Sequence, residues 1–133
     1  MLKVNVKKLR DDAVLPKYGS PYAAGADLYA CLDEDVTIAP GETKIIHTGI
    51  AIELPENTVA LVYARSGLAS KRGLAPANKV GVVDCDYRGE LMVALHNHSS
   101  ESQIVEKGER VAQMVITPYF TAEFAEAREL SET

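Results

Sequence analysis

The feature that most constrains this chain is its punctuation. Short apolar runs, alternating or β-branched, recur up to position 118, and turn signals separate them. Val4 and Val6, with Leu9, alternate with polar residues, and 26–32, 36–38, 44–54, 59–63, 79–83, 91–96, 102–105 and 110–118 read as further strands. Pro40-Gly41, Pro55-Glu56-Asn57 and Lys107-Gly108 mark turns between them. So many short strands predict an all-β domain, closed or double-sheeted, such as a jelly roll. One segment breaks the pattern. Ser66-Gly67-Leu68-Ala69-Ser70-Lys71-Arg72-Gly73 offers a Ser N-cap, basic residues in a last turn and a Gly stop, which predicts one short helix. No repeat or linker divides the 133 residues, so a single domain is expected over 1–133. Residues 121–133 are acidic and Ala/Glu-rich, with no clear ending.

A net charge of −5 argues against a protein that binds nucleic acid by neutralising phosphates, but a few local Arg and Lys side chains can still hold one small polyanion. No apolar stretch approaches the roughly 20 residues of a membrane-spanning helix, so no membrane partner is expected. The alternating N-terminus lacks the apolar core of a signal peptide. Cys31 and Cys85 are far apart and form no CxxC, so two reduced thiols in a cytoplasmic protein are expected.

Four stretches could carry chemistry. In Arg65-Ser66-Gly67 a strand gives way to the helix, whose free N–H groups favour anions. Ser66 adds a hydroxyl and Arg65 a forked cation suited to phosphate oxygens; equally, Ser66 caps and Arg65 is solvated. In Ala24-Gly25-Ala26-Asp27-Leu28, Asp27 is a turn aspartate or an anchor for metal-bound water. In Gly108-Glu109-Arg110-Val111-Ala112-Gln113, Gln113 falls in an apolar run and needs a partner, a backbone group or a ligand.

The fourth stretch, Gly81-Val82-Val83-Asp84-Cys85-Asp86-Tyr87-Arg88-Gly89-Glu90, lies between two apolar runs and reads as a hairpin tip. Asp84 ends a hydrophobic strand, which predicts a shielded carboxylate suited to act as a general base for water. Tyr87 offers a flat face to a sugar or base, and Asp86 and Arg88 could pair. His96-Asn97-His98 places two imidazoles on one strand face, but no nearby ligand completes a metal set, and an exposed strand end is expected.

Taken together and in this order, the four stretches resemble the motifs of the trimeric dUTPase family. Each is weak alone; four in order, around an Asp-x-Asp-Tyr-x-Gly core, are specific, and they span nearly the whole chain. The resemblance implies a jelly-roll-like β domain, a homotrimer with shared active sites, and Mg²⁺-dependent hydrolysis of dUTP to dUMP and pyrophosphate. It implies that Asp84 is the general base that directs water at the α-phosphorus. It implies that Tyr87 packs against the deoxyribose and leaves no room for a 2′-hydroxyl. Asn78 would bond the uracil, with Gly81, Val83 and Met92 around the rest of the base. Arg65, Ser66, Gly67 and Gln113 would hold the phosphates, and Asp27 a metal-bound water.

Two departures stand out. Ala64 replaces the Pro that often precedes the Arg of the second motif. The family's fifth motif, a glycine-rich tail with an Arg and an aromatic, has no match: Arg128 is followed by Glu129-Leu130. Truncation before that motif is the reading adopted, with slow turnover expected until a tail is restored. Two rivals remain. A dCTP deaminase shares the fold but lacks the Asp-x-Asp-Tyr core. A non-catalytic nucleotide-binding member would bind dUTP without hydrolysing it.

Overall fold

Eleven strands and one helix make up the chain, and a computed structural model describes residues 1–133. They are β1 (Asn5–Lys8), β2 (Lys17–Tyr18), β3 (Ala26–Tyr29), β4 (Val36–Ile38), β5 (Thr43–Glu53), β6 (Thr58–Tyr63), α1 (Ser66–Arg72), β7 (Leu74–Pro76), β8 (Val80–Val83), β9 (Glu90–Asn97), β10 (Gln103–Val105) and β11 (Arg110–Pro118). One sheet runs β1-β5-β9-β7, a second β2-β3-β11-β6-β8, and β10 pairs with β4. A cluster of 21 buried residues draws on both larger sheets, with Leu28, Val62 and Met114 from one and Ile46, Ile50 and Leu95 from the other. This is the jelly-roll-like all-β arrangement predicted.

Most predicted strands appear within a residue or two. The run at 26–32 ends earlier, at Tyr29, because the chain there changes sheets. Ala30 N–H still bonds Glu109 O (2.8 Å), whereas Cys31 N–H bonds His47 O of the other sheet (2.8 Å). β2 and β7 were not predicted. Two or three residues carry no period, and β7 ends on Pro76, tolerated there because β7 is an edge strand.

The helix starts and stops as predicted, but its cap differs. Arg65, extended at φ −86° and ψ 132°, is the N-cap residue, and no side chain caps the first turn. Ser66 is therefore inside the helix and its hydroxyl is exposed. Gly73 stops the helix in the left-handed region (φ 67°), with its N–H reaching the Ala69 and Leu68 carbonyls. A Cβ there would lie 2.7 Å from Ser99 Cβ, so the stop admits only glycine.

Two features differ more deeply. The His96-Asn97-His98 stretch is not simply exposed. Asn97 is fully buried and ties three segments together: its Nδ2 donates to Ile38 O (2.9 Å) and Glu101 O (2.7 Å), and its Oδ1 accepts from Ser99 N–H (2.9 Å) and Oγ (2.7 Å). His96 is half-buried, with Nδ1 2.9 Å from Thr43 Oγ1. The stretch at 81–90 is also no closed hairpin. β8 pairs only with β6, at the edge of the five-stranded sheet, while β9 pairs with β5 and β7 in the four-stranded sheet. The two strands diverge into different sheets, and a slot opens between them.

Candidate active site

The slot encloses about 230 Å³. Leu28, Val62, Leu91 and Val93 give it an apolar floor, and Asn78, Gly81, Val83, Asp84, Tyr87 and Met92 all line it. β8 has a free edge, so unpaired main-chain groups face the opening. Gly81 matters here: a Cβ would sit 3.3 Å from both Asn78 Nδ2 and Val62 Cβ, narrowing the slot. Asn78 stands in the turn before β8, where its carbonyl accepts from Val80 N–H (2.7 Å).

Beyond β8 the chain folds into a braced loop. Tyr87 N–H bonds Asp84 O (3.1 Å) and Tyr87 Oη donates to Glu90 O (2.9 Å). Arg88 does not pair with Asp86. Its guanidinium donates to the carbonyls of Cys85 (2.6 Å) and Tyr87 (3.2 Å) and lies 3.8 Å from Glu53. The Asp84 carboxylate, expected to be shielded, is exposed in the single chain, because an edge strand leaves its end uncovered.

A second cleft, of about 310 Å³, holds Asp27, Arg65, Ser66, Arg110 and Gln113, with Gly25 beside them. Sheet register assembles it: Gln113 of β11 stands opposite Asp27 of β3 on one side and Tyr63 of β6 on the other. Arg65, two residues past Tyr63, bonds Asp27 (Nε to Oδ1, 2.9 Å), and Arg110 lies 3.8 Å from Asp27 Oδ2. Gln113 Nε2 donates to Ala64 O (2.9 Å), the backbone partner its apolar setting demanded. Gly25 packs against the Gln113 side chain, with its Cβ position 3.1 Å from Gln113 Cβ. Gly67 is exposed on the helix and does not line the cleft.

Arg110 was missed as a site residue. A bulge between Arg110 and Ala112 turns it toward Asp27, and strict alternation gives no sign of that. Glu90 was missed too. It lines the slot, and its carboxylate bonds His47 Nδ1 (2.9 Å) and Gly49 N–H (2.9 Å). Partial burial pushes that carboxyl up, but the His47 and Gly49 bonds outweigh it and leave it below its ordinary value.

The chain brings the predicted residues together in two groups, not one. Val80 of β8 is level with Tyr63, Gln113 and Asp27, three strand spacings from Asp27, or about 14 Å. Asp84 lies four residues further along, about 13 Å more, so it stands on the order of 20 Å from Asp27. No group of three His, Cys, Asp or Glu side chains could hold a metal ion. Asp27 is the one carboxylate in the cleft, so a cation there would take most of its oxygen ligands from a polyphosphate and water, as Mg²⁺ does.

The outward face of the five-stranded sheet is apolar beside these sites. Leu61 stands between Val115 and Val82, and Tyr63 beside Val80, with Val82 63% exposed. Residues 119–133 form no regular structure, and Phe120 and Phe124 are fully or almost fully exposed.

Fold and clefts define a class: a jelly-roll-like β protein with an apolar slot between two sheets and a separate cleft of paired charges. The chain belongs to the dUTPase family, whose model matches residues 11–133. It is 54% identical to the deoxyuridine 5′-triphosphate nucleotidohydrolase of Desulfitobacterium hafniense strain DCB-2, over 99% of this chain and 89% of that protein. The protein of the same name from Hydrogenobaculum sp. is 52% identical, over 99% and 91%. Among solved structures, a mutant dUTPase of Staphylococcus bacteriophage 80alpha with dUpNHpp superposes with a TM-score of 0.88 at 28% identity, covering 98% of this chain and 91% of that one. A mutant dUTPase of phage phi11, described as coordinating a structural Mg(II) ion, gives 0.85 at 26% identity, covering 96% and 97%.

Proposed function

We propose that this protein hydrolyses dUTP to dUMP and pyrophosphate. The observation that carries the reading is the slot between β8 and β9, with Asp84 and Tyr87 at its mouth. A flat pyrimidine enters between the diverging strands. Main-chain groups near Gly81, Val83 and Met92, with the Asn78 amide, read its edge. Tyr87 packs against the deoxyribose, where an added 2′-hydroxyl has no room. Asp84 takes a proton from water as it attacks the α-phosphorus in line, with pyrophosphate leaving.

Arg65, Ser66 and Gln113, which line the charged cleft, hold the phosphate oxygens, Arg65 through its forked donors. Mg²⁺ offsets phosphate charge when bound. Asp27 would hold a water of that ion, and Arg65, bonded to Asp27 at 2.9 Å, would offer its remaining donors to phosphate.

The roughly 20 Å between Asp84 and Asp27 supports a site completed between chains, since one α-phosphorus cannot meet both groups of one chain. We therefore propose a homotrimer in which the slot of one copy faces the charged cleft of another. The apolar face around Leu61 and Val82 and the bare segment at 119–133 suit burial between copies. Each chain acts as one domain. No helix of the chain is long and apolar enough to cross a membrane, and we assign the protein to the cytoplasm with no nucleic-acid partner.

The test is pyrophosphate release with Mg²⁺ from dUTP, dCTP, dTTP and UTP, beside light scattering for the trimer mass. Release from dUTP alone, lost in Asp84→Asn, supports the reading. Ammonia from dCTP points to a deaminase, and dUTP binding without release to a non-catalytic member.

A further inference from the structure

Glu90 stands outside the roles just assigned, yet it is the most heavily bonded side chain at the slot. Its carboxylate spans two groups of β5, His47 Nδ1 and Gly49 N–H, each at 2.9 Å. Its main-chain carbonyl accepts the Tyr87 hydroxyl at 2.9 Å. One residue thus joins the ring that would meet the sugar to a neighbouring strand.

That strand is firmly held where Glu90 grips it. The β5–β9 register slips between His47 and Ala51, and Gly49 sits in this bulge at φ 70°. A Cβ at Gly49 would lie 2.8 Å from Cys31 Sγ and 3.0 Å from Ala13 Cβ, both in the core. Gly49 O also accepts Leu9 N–H at 2.7 Å. The bulge therefore cannot drift, and it passes its position to Glu90. On the other side, Tyr87 lies across Gly89 so closely that a Cβ there would stand 3.0 Å from Tyr87 Cε1 and closer still to the hydroxyl. The ring is pressed onto a residue without a side chain and tied at its hydroxyl.

We propose that Glu90, anchored by His47 and the Gly49 bulge, is a positioning residue. It fixes the height of the Tyr87 ring above the slot and so sets discrimination between deoxyribose and ribose. This rests on the dUTP reading above. Discrimination by exclusion needs a wall that does not yield, because a ring free to move by an ångström admits one hydroxyl. The anchor through Glu90 supplies that stiffness; stacking alone does not.

The experiment measures kcat and KM for dUTP and UTP in the wild type, Glu90→Ala, Glu90→Gln, Tyr87→Phe and the Glu90→Ala/Tyr87→Phe double variant. Loss of a hydrogen bond of this kind corresponds to about a tenfold effect. Glu90→Ala is expected to lower the dUTP-to-UTP ratio of kcat/KM about tenfold, with kcat for dUTP within about threefold of wild type. Glu90→Gln, which keeps an acceptor for Gly49, is expected to restore most of the ratio. Tyr87→Phe removes the hydroxyl's bond to the Glu90 main-chain carbonyl, the other link in the chain from ring to bulge, so its effect and that of Glu90→Ala should not add in the double variant.

An unchanged ratio in Glu90→Ala, or effects of Glu90→Ala and Tyr87→Phe that add fully, overturns the inference. If Glu90→Ala does not fold, His47→Ala, which removes one partner of the Glu90 carboxylate without altering β9, takes its place: a lowered ratio supports the inference and an unchanged ratio overturns it. A wild type that fails to hydrolyse dUTP sinks the functional reading instead, so the two failures are distinguishable.

Discussion

The slot and the charged cleft solve opposite problems. The slot is shaped by scaffold: diverging strands, Gly81 where a side chain would intrude, and a loop braced by Arg88, Tyr87 and Glu90. The cleft is made of groups that already satisfy one another, Asp27 with Arg65 and Gln113 with Ala64. A polyphosphate must compete with those bonds. The contrast assigns selectivity to the rigid region and charge handling to the region whose pairs can exchange. Substitutions in the slot should change which nucleotide is accepted, whereas substitutions in the cleft should weaken every triphosphate alike.

The largest expected effect falls at the mouth of the slot. Asp84→Asn should lower kcat for pyrophosphate release by about 10²–10⁴-fold, with dUTP affinity retained. A variant that also loses binding would mean Asp84 holds the ligand rather than activates water. Next comes the residue that underlies both regions. Leu28 follows Asp27 in β3, is fully buried and forms part of the slot floor. Leu28→Ala should cost about 2–5 kcal/mol in urea unfolding and loosen both regions together. A milder loss, with one region's function untouched, would show that the two are mechanically separate. Arg65→Gln sharpens the contrast further. It should raise KM for dUTP and for any residual dTTP turnover by the same factor, about 10–100-fold for a charge-assisted bond. A change in the ratio between the two nucleotides would break the division of labour.

Much of this was legible in the sequence, and the misses share a cause. Strand runs survived because alternation is local: β4, β6 and β11 start and end within a residue of expectation. Asp84 and Tyr87 draw attention in the sequence because chemistry-bearing side chains crowd one stretch, whereas Asn78, Gly81, Val83 and Met92 rest on the family resemblance. What failed depended on partners distant in sequence. Gly81 to Glu90 reads as a hairpin, but β8 is claimed by β6 and β9 by β5. Asn97 looks like a polar strand end until Ile38 and Glu101 converge on it. Arg88 sits two residues from Asp86, yet the loop's own carbonyls claim it. Arg110 needs a bulge, and Glu90 needs Gly49 on another strand, to become visible. Local pattern announces strands and motif residues; it does not announce which edge stays open.

The smallest predicted effect tests whether the slot's rigidity has an electrostatic part. Glu90 is held below its ordinary carboxyl value, taken as 4.5, by His47 and the Gly49 N–H despite the opposing push of burial. A carboxyl depressed in the folded protein adds stability that is complete above the unfolded value and is lost as pH falls through the folded one. Wild type should therefore exceed Glu90→Gln in urea unfolding between pH 5 and 7, at one fixed protein concentration. The gap should close as pH drops below about 4.5. The cleft offers the control, since Arg65→Gln leaves Glu90 and its partners in place and should keep the wild-type dependence on Glu90. A gap between wild type and Glu90→Gln that stays constant to pH 3 would mean that the shape of the Glu90 side chain, not its charge, braces the bulge. The slot would then be rigid by packing alone, and the only exchangeable charges near the ligand would be those of the cleft.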